Sequence, residues 1–384
     1  MRTIVFTGKG GAGVSTLAAA TAAAIAESGR RTLAFGLGSG LASAFDCGLG
    51  ERPQPLAADL WALEAAPLAG QAGHPDAPGP FLAWLRDLFL WRNMDETVAD
   101  DVAALPGLVD LARLLTLEEQ LEGGDFEAIV VDCPAVRHTV DLLAALDAAA
   151  RSLDRMFPER QPTVLDPFLR ALAGNSGSGE DVYEGGRDIL LRLSSIRQTL
   201  ADPESASVRL VLTADNAALA QAQRAVTNLS LFGYPLDATF CNRLLPEDAG
   251  PWSKARRDDE QAALRHIDDS LGPLPVLPVP LQPRDVAGFQ DLSALAASAY
   301  GGADPADILY RGPVQAFSRK DSRYVLSLTL PFVTREELAI ERLDDALIVH
   351  VGERSRTFDL PAEVRGLDSV SSAFDGDTLR VTFS

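Results

Sequence analysis

The sequence predicts a doubly wound, mostly parallel α/β sheet followed by a small all-β sandwich. As far as residue 300, continuous apolar runs alternate with helical stretches, which is the pattern of parallel strands covered on both faces. After residue 312 the pattern changes to short alternating runs separated by turn residues, which is typical of a sandwich. We therefore predict two units, residues 1–312 and residues 313–384.

The first unit opens with a strand, a glycine-rich loop and a helix. Residues 3–7 form a short β-branched run, and a helical stretch at residues 15–28 precedes the apolar run 32–35. This order begins a parallel sheet. Further apolar runs predict strands at 128–131, 208–213 and 237–241, and helices are expected at 81–93, 109–122, 139–157 and 217–232.

Two segments depart from this alternation of strands and helices. Residues 173–186 are rich in glycine and serine, which predicts a flexible loop inside a helical insertion at about 151–205. Residues 272–283 contain several prolines and must be extended. In the second unit the Asp375-Gly376 dipeptide predicts a hairpin, and strands are expected at 324–330, 346–351, 354–360 and 378–383.

Composition restricts the partners of the chain. Its 34 basic and 54 acidic side chains give a net charge of −20, so nucleic acid, which binds through lysine and arginine, is not an expected partner. The three cysteines lie far apart in sequence, which disfavours a disulfide framework and indicates a cytoplasmic setting. No uncharged apolar stretch reaches the ~18 residues of a transmembrane segment.

A candidate phosphate loop follows the first strand. Backbone N–H groups of such a loop and of the next helix cradle phosphate oxygens, and the hydroxyl of Ser15 is placed to bind Mg²⁺. Val14 stands where a phosphate lysine is usual, and Asp132 ends a later strand as a second magnesium candidate. The loop comprises Gly8, Lys9, Gly10, Gly11, Ala12, Gly13, Val14, Ser15 and Thr16.

Four ordered motifs give the first unit a family resemblance. Residues 9–16 resemble the deviant Walker A loop of the ArsA-type ATPases, and residues 132–139 resemble their Walker B strand and switch II. Residues 240–246 are similar to the adenine-binding segment, and residues 279–288 to a late proline-rich motif. The resemblance implies a P-loop ATPase that binds ATP or ADP with Mg²⁺ as a homodimer.

The resemblance also assigns roles to individual residues. Lys9 would reach across the homodimer to the partner's nucleotide, which makes it the candidate catalytic residue. Ser15 and Asp132 would hold magnesium, while Arg137 and His138 would belong to switch II. The remaining nucleotide-binding candidates are Asn242, Arg243, Pro280 and Leu281.

Three departures from the family pattern bear on catalysis. Val14 replaces the phosphate lysine, Gly36 replaces the switch I aspartate that positions the attacking water, and Arg137 replaces a switch II glycine. Losing a phosphate contact or a positioned acid ordinarily costs about a hundredfold or more in rate. Nucleotide binding is therefore expected ahead of hydrolysis, although a simple glycine turn, a structural Asp132 and a helix-capping His138 are the plainer alternatives.

The second unit resembles a small heat-shock, or α-crystallin, domain. The segments 324–333, 347–352, 356–361 and 373–381 carry this resemblance, but no Ile-x-Ile/Val tail follows them. A generic sandwich that packs on the first unit is the alternative. The main hypothesis is a nucleotide-responsive homodimer that binds or delivers a hydrophobic protein client. The alternatives are an active anion- or metalloid-transport ATPase subunit and a nucleotide-free scaffold, whereas a partition-type ATPase lacks the expected basic surface.

Overall fold

The computed structural model describes residues 1–65, 106–156, 178–246, 250, 253–312, 315–320, 323–365, 367 and 370–384. An eight-stranded sheet forms the centre of the first unit, with the order β3-β4-β2-β5-β1-β6-β7-β8. All neighbours are parallel except β3 and β4. The strands are β1 (Arg2–Gly8), β2 (Thr32–Gly36), β3 (Gln54–Ala57), β4 (Leu60–Glu64), β5 (Ala128–Ala135), β6 (Ala206–Thr213), β7 (Leu236–Leu244) and β8 (Val276–Pro280).

Helices cover both faces of this sheet, as the sequence predicts. Helices α1 and α8 pack on one face, against Ile4, Phe6 and Val130, while α3 to α6 cover the face that contains Val5, Ile129 and similar residues. The helices are α1 (Val14–Glu27), α2 (Leu41–Phe45), α3 (Pro106–Gly123), α4 (Val136–Met156), α5 (Ser178–Ala201), α6 (Asn216–Phe232), α7 (Lys254–Leu271) and α8 (Phe289–Tyr300). The helix expected at 81–93 lies outside the described residues.

The flexible loop predicted at residues 173–186 is wrong from Ser178 onward, because helix α5 begins there. Glycines weaken a helix by only about 1 kcal/mol each, and packing of the later turns outweighs that cost. Ile189, Leu193, Ile196 and Leu200 are buried along one face of α5, against the cluster that covers the sheet. The described part of the insertion therefore supports the sheet.

The second unit is the predicted all-β sandwich. One sheet has the order β14-β15-β10-β9 and the other β11-β12-β13, and all pairings are antiparallel. The hairpin at Asp375-Gly376 is confirmed, since Asp375 pairs with Thr378 and Gly376 has φ +63°. The elements are β9 (Ala316–Lys320), β10 (Arg323–Thr329), β11 (Leu338–Arg342), β12 (Ala346–Val351), β13 (Arg354–Asp359), helix α9 (Ala362–Arg365), β14 (Val370–Asp375) and β15 (Thr378–Phe383).

The sandwich packs directly on the first unit. Its core residues Leu328 and Phe383 belong to the same buried cluster as Leu229 and Leu231 of α6. The hydroxyl of Thr227 donates to the carbonyl of Pro331 at 2.6 Å. One apolar core thus runs from the sheet through α6 into the sandwich, while the boundary near residue 312 stays a prediction.

Within the described ranges, no helix combines the length and the apolar character that crossing a membrane requires.

Candidate functional site

The glycine loop lies at the carboxyl edge of the sheet, between β1 and α1, and two of its glycines leave no room for a side chain. A Cβ on Gly8 would lie 2.0 Å from the carbonyl oxygen of Val211 in β6. Gly13 has φ +92°, and its Cβ would lie 2.4 Å from Nδ2 of Asn242. The loop therefore runs close against the neighbouring strands, with Gly10 and Gly11 exposed towards solvent.

Asn242 fastens the loop from the adjacent end of β7. Its Nδ2 donates to the carbonyl of Ala12 at 2.7 Å, and its Oδ1 accepts from the backbone N–H of Arg243 at 2.8 Å. Arg243 is exposed and adopts the left-handed backbone region, with φ +63°. The amide of Asn242 is thus engaged in holding the phosphate loop, and its contact with adenine stays a prediction.

The four further residues predicted to bind nucleotide, Asn242, Arg243, Pro280 and Leu281, lie together at the ends of β7 and β8. Strands β7 and β8 pair at Leu244 and Pro280. The N–H of Leu281 donates to the carbonyl of Leu244 at 2.7 Å, and the Leu281 side chain is 42% exposed. Arg243, Pro280 and Leu281 therefore lie beside Asn242, next to the loop that would hold phosphates.

Ser15 and Asp132 form a polar pair beneath the loop. Asp132 lies in the second half of the central strand β5 and is buried, and it hydrogen-bonds to the side chain of Ser15. Burial raises the pKa of Asp132 to about 6, with a smaller contribution from the negative charge of Glu64. Among the described residues, no hydrogen-bond partner reaches Oδ1 of Asp132. An orphaned buried carboxylate oxygen beside a hydroxyl is suited to a hard divalent cation.

Val14 begins helix α1, where a phosphate lysine is usual. Its side chain is half-buried and packs against the apolar cluster between α1 and the sheet. An apolar side chain offers phosphate no hydrogen bond. Phosphate binding by this loop would therefore rely on backbone N–H groups and the helix terminus.

Lys9 lies in an ion pair within its own chain. Its Nζ is 3.1 Å from Oδ2 of Asp215, and both side chains are more than a third exposed. Asp215 also caps helix α6, because its Oδ1 accepts from the N–H of Ala218 at 2.8 Å. The reach of Lys9 across a homodimer stays a prediction, and it requires Lys9 to leave Asp215.

Arg137 and His138, which the sequence predicts to belong to switch II, lie at the start of α4. Nε2 of His138 is 2.6 Å from Oδ2 of Asp110 in α3, so His138 joins two helices, and Arg137 is exposed. The hydroxyl of Thr139 is 2.8 Å from that of Thr7 in β1 and donates to the carbonyl of Pro134. This start of α4 is therefore tied to the strand that carries the phosphate loop.

Glu64 joins this edge of the sheet, and the sequence reasoning missed it. Gly36 of β2 pairs with Glu64 of β4 on one side and with Asp132 of β5 on the other. A Cβ on Gly40 would lie 2.0 Å from Oγ of Ser15, so the chain after Gly36 closes over the Ser15–Asp132 pair. The signal was an apolar run at 60–64 that ends in an acid, which is the same pattern that singled out Asp132.

Helix α4 also connects the site to the sandwich. Arg354 of β13 forms an ion pair with Asp141 at 2.6 Å. The buried Arg356 contacts Asp147 at 3.1 Å and donates to the carbonyl of Leu231 at 2.7 Å. The sandwich therefore contacts α4, the helix that begins with the predicted switch II residues, in addition to α6.

Comparison with known proteins agrees with this geometry. The family described as anion-transporting ATPase matches residues 1–301, and an HSP20-like domain found in ArsA matches residues 321–383. A protein of Prosthecochloris vibrioformis, provisionally named an arsenical pump-driving ATPase, is 28% identical over 100% of this chain and 96% of its own length. An uncharacterised protein of Streptomyces coelicolor is 32% identical over 100% of this chain and 97% of its own length.

A third relative is longer than this chain. The arsenical pump-driving ATPase of Escherichia coli is 28% identical over 76% of this chain and 48% of its own length. The ArsA ATPase domain matches the first unit, which contains the glycine loop and the Ser15–Asp132 pair. The HSP20-like domain found in ArsA matches the sandwich of the second unit. The chain therefore belongs to the ArsA ATPase family and carries the HSP20-like domain of that family at its C-terminal end.

Proposed function

We propose that this ArsA-family protein binds ATP or ADP with Mg²⁺ as a homodimer, hydrolyses ATP slowly, and binds or delivers a hydrophobic protein client in response to the nucleotide. The observation on which this depends is the Ser15–Asp132 pair, with the orphaned Oδ1 of Asp132 beneath a glycine loop. A loop kept only for structure would have no need for an unsatisfied buried carboxylate.

Magnesium suits the residues present. Ser15 and Asp132 would hold the ion, which would neutralise charge on the bound phosphates. The slow hydrolysis in the proposal follows from Val14, because an apolar side chain at that position contributes nothing to phosphate charge. Binding through backbone N–H groups is retained, since Gly8 and Gly13 keep the loop in its close-packed form.

Nucleotide affinity is the direct test. Isothermal titration calorimetry would compare ATP and ADP, each with Mg²⁺ and with EDTA. We expect ATP binding that Mg²⁺ strengthens, and Asp132→Asn should remove that strengthening. Val14→Lys should tighten ATP binding by about tenfold or more, the effect of one charge-assisted hydrogen bond. An absence of binding at millimolar nucleotide would contradict the proposal and favour the nucleotide-free scaffold.

Lys9 tests the homodimer. If Lys9 contacts the partner's nucleotide, Lys9→Ala should weaken MgATP-dependent dimerisation in sedimentation velocity experiments. Asp215→Asn is the matched control, because asparagine keeps the cap of α6 and removes only the charge that pairs with Lys9. Asp215→Asn should therefore leave dimerisation intact or strengthen it. Equal loss in both variants would contradict a role for Lys9 in the partner's site.

A cleft next to the sandwich supports the client part of the proposal. It has a volume of about 620 Å³ and lies between α6, the segment after α7 and the sandwich. Its lining is partly apolar, and Phe332 is 40% exposed there. Because the sandwich also contacts α4, a change at the start of that helix has a direct route to this cleft. Apolar lining residues are Val226, Leu274, Tyr310, Pro331 and Phe332.

An active anion- or metalloid-transport ATPase is the second candidate, and the names of the relatives favour it. The buried cysteines do not favour a metalloid-binding role. Cys133 and Cys241 are buried and burial raises the pKa of both thiols, while no group of three metal-binding side chains occurs among the described residues. Stimulation of ATP hydrolysis by arsenite or antimonite would support this candidate, and turnover that ignores both would oppose it.

A further inference from the structure

We propose that Glu64 supplies the carboxylate that Gly36 lacks, and that it orients the water that attacks the γ-phosphate of ATP; this rests on the proposed nucleotide site. The family resemblance places Gly36, which has no side chain, where a switch I aspartate is expected. Glu64 sits on the neighbouring strand in the same register as Gly36, and Asp132 sits in that register on the other side. The carboxyl ends of three adjacent strands thus bring one glycine and two acids into line.

The space above Gly36 is taken by the Glu64 side chain. A Cβ on Gly36 would lie 3.0 Å from Cγ of Glu64 and 3.3 Å from Cδ1 of Leu41. The first of these distances is closer than an ordinary carbon–carbon contact. A side chain at position 36 would therefore require Glu64 to shift by a few tenths of an ångström, and Gly36 lets Glu64 lie over the end of β2 without that shift.

The Glu64 carboxylate is held in place by the first turn of α2. Its Oε1 accepts a hydrogen bond from the N–H of Ala42 at 2.8 Å. One oxygen is thereby fixed, and a carboxylate has a second oxygen that can accept from water. The same loop approaches the magnesium candidates, because a Cβ on Gly40 would lie 3.3 Å from Oδ2 of Asp132 and 2.0 Å from Oγ of Ser15. The Glu64 carboxylate and the Ser15–Asp132 pair therefore lie at the same edge of the sheet.

Electrostatics agree with this placement. Glu64 and Asp132 occupy the same register on the two strands that flank Gly36, so two negative side chains lie on either side of that residue. A site with two negative carboxylates close together is stabilised when a cation and a polarised water enter it. Glu64 itself is half-buried, which keeps it accessible to water.

The reaction that Glu64 assists is the hydrolysis of ATP to ADP and inorganic phosphate. The water oxygen forms a bond to the γ-phosphorus, and the bond from that phosphorus to the β–γ bridging oxygen breaks. ADP leaves with the electron pair. One proton of the water stays on the new phosphate, and the other passes by way of the Glu64 carboxylate to solvent. Glu64 aligns the water by accepting its hydrogen bond.

The test uses the full-length protein and relocates the carboxylate. Glu64→Gln keeps an oxygen for the N–H of Ala42 and removes the charge. Glu64→Ala removes the side chain that lies beside Gly36. Combining it with Gly36→Asp moves the carboxylate from β4 to the neighbouring strand β2. Glu51→Gln is the control, because Glu51 is exposed. Readouts are single-turnover ATP hydrolysis, MgATP affinity, and the affinity for ADP with aluminium fluoride, which imitates the transferring phosphoryl group.

We expect Glu64→Gln to lower the hydrolysis rate by about a hundredfold, the usual contribution of a positioned acid–base group. It should weaken ADP–aluminium fluoride binding by roughly tenfold or more and leave MgATP affinity within about threefold, because the group acts mainly in the transition state. The Gly36→Asp/Glu64→Ala variant should hydrolyse ATP faster than Glu64→Ala, while Gly36→Asp alone should be impaired by crowding.

Two results would overturn the inference about Glu64 alone. The first is Glu64→Gln matching the wild type in both hydrolysis and aluminium fluoride binding. The second is a Gly36→Asp/Glu64→Ala variant that binds MgATP as tightly as Glu64→Ala but hydrolyses it no faster, which would indicate that Glu64 only braces the α2 loop. Wild-type protein that fails to bind MgATP at all would overturn the proposed function, and this inference with it.

Discussion

Two buried carboxylates differ in whether their hydrogen-bonding partners are complete, and this difference distinguishes a ligand-binding role from a structural one. Asp132 and Asp147 are 3% and 4% exposed, so burial does not distinguish them. Asp147 forms ion pairs with Arg151, Arg197 and Arg356. Asp132 has one hydroxyl partner and one orphaned oxygen. A satisfied buried acid serves the fold, whereas an unsatisfied one indicates a ligand.

The pKa of Asp132 predicts a measurable pH dependence of stability. The folded-state pKa of about 6 lies above the ordinary value of 3.8, so the folded protein binds the proton more tightly than the unfolded chain. Stability of the nucleotide-free protein should therefore fall as pH rises from about 4 to 6, by up to about 3 kcal/mol. Urea denaturation at several pH values measures this change.

Asp132→Asn removes the titrating group and should flatten that dependence. At pH 7.5 without nucleotide the variant should be more stable than the wild type, and the difference should shrink towards pH 4. Asp258→Asn is the control, since Asp258 is exposed on α7, and it should change stability by no more than about 0.5 kcal/mol. An Asp132→Asn variant less stable than wild type at pH 7.5 would contradict the assigned pKa shift.

At the scale of elements, the phosphate loop depends on contact between β1, α1 and β7. Gly13→Ala and Gly29→Ala both place alanine at positive φ, +92° and +83°, at a cost of about 1–2 kcal/mol each. Only at Gly13 does the new methyl group collide with a neighbour, Nδ2 of Asn242, which adds about 1–3 kcal/mol. Thermal unfolding should show the larger loss for Gly13→Ala, which should also lose ATP binding.

A double variant isolates the collision. Asn242→Ala removes the amide that the Gly13→Ala methyl group would meet, so the combined cost should be smaller than the sum of the two single costs. Gly29→Ala combined with Asn242→Ala should instead be additive, because nothing lies within 4 Å of a Cβ on Gly29. Additive costs for the first pair would show that the loop shifts away from Asn242 without strain.

Several long elements were predicted from the sequence, whereas helices α7 and α8 and most of the short strands were not. Buried strands such as Ala206–Thr213 can be recognised in the sequence by their nearly continuous apolar residues. The short edge strand Gln54–Ala57 and the alternating strand Leu338–Arg342 lack such a signal, because their pattern is that of exposed chain. Helix α5 was missed at its start because local glycine content opposed a fold that distant packing decides.

The same limit explains what was missed at the site. The phosphate loop, Asp132 and Asn242 are each marked by a local motif, and the structure brings all three together. Glu64 has no motif. Its relation to Gly36 depends on the register of β4 against β2, which is a property of the assembled sheet. The pairing of Lys9 with Asp215 is equally a tertiary contact and could not be predicted.

At the scale of the whole molecule, the two family domains share one apolar core and a buried charge cluster. Arg356 is 7% exposed and bonds to Asp147, the carbonyl of Leu231 and Oε1 of Gln315. Burial lowers the pKa of Arg356 to about 10, which still leaves it charged at neutral pH. The interface therefore combines apolar contact with a geometry that arginine alone completes.

The two interface arginines should differ strongly in their contribution to stability. Arg356→Met should lower the free energy of unfolding by about 2 kcal/mol, because it removes a buried charge that bonds to Asp147 and to Oε1 of Gln315, while Asp147 keeps Arg151 and Arg197 as partners. Arg354→Met should cost less than about 1 kcal/mol, because its partner Asp141 is 53% exposed. Urea denaturation measures both. Similar costs for the two variants would indicate that Arg356 is solvated and the sandwich is loosely attached.

The ion pairs between the sandwich and α4 mean that a movement of this helix would affect the sandwich. Asp147 follows Val136, the first residue of the helix, by 11 positions, which at 1.5 Å per residue is a distance of about 16 Å along the axis. A tilt of about 5° around Val136 would displace Asp147 by roughly 1.5 Å, enough to break a hydrogen bond. A tilt of α4 about its first turn would therefore require the sandwich either to move with Asp147 or to lose its bonds to that residue.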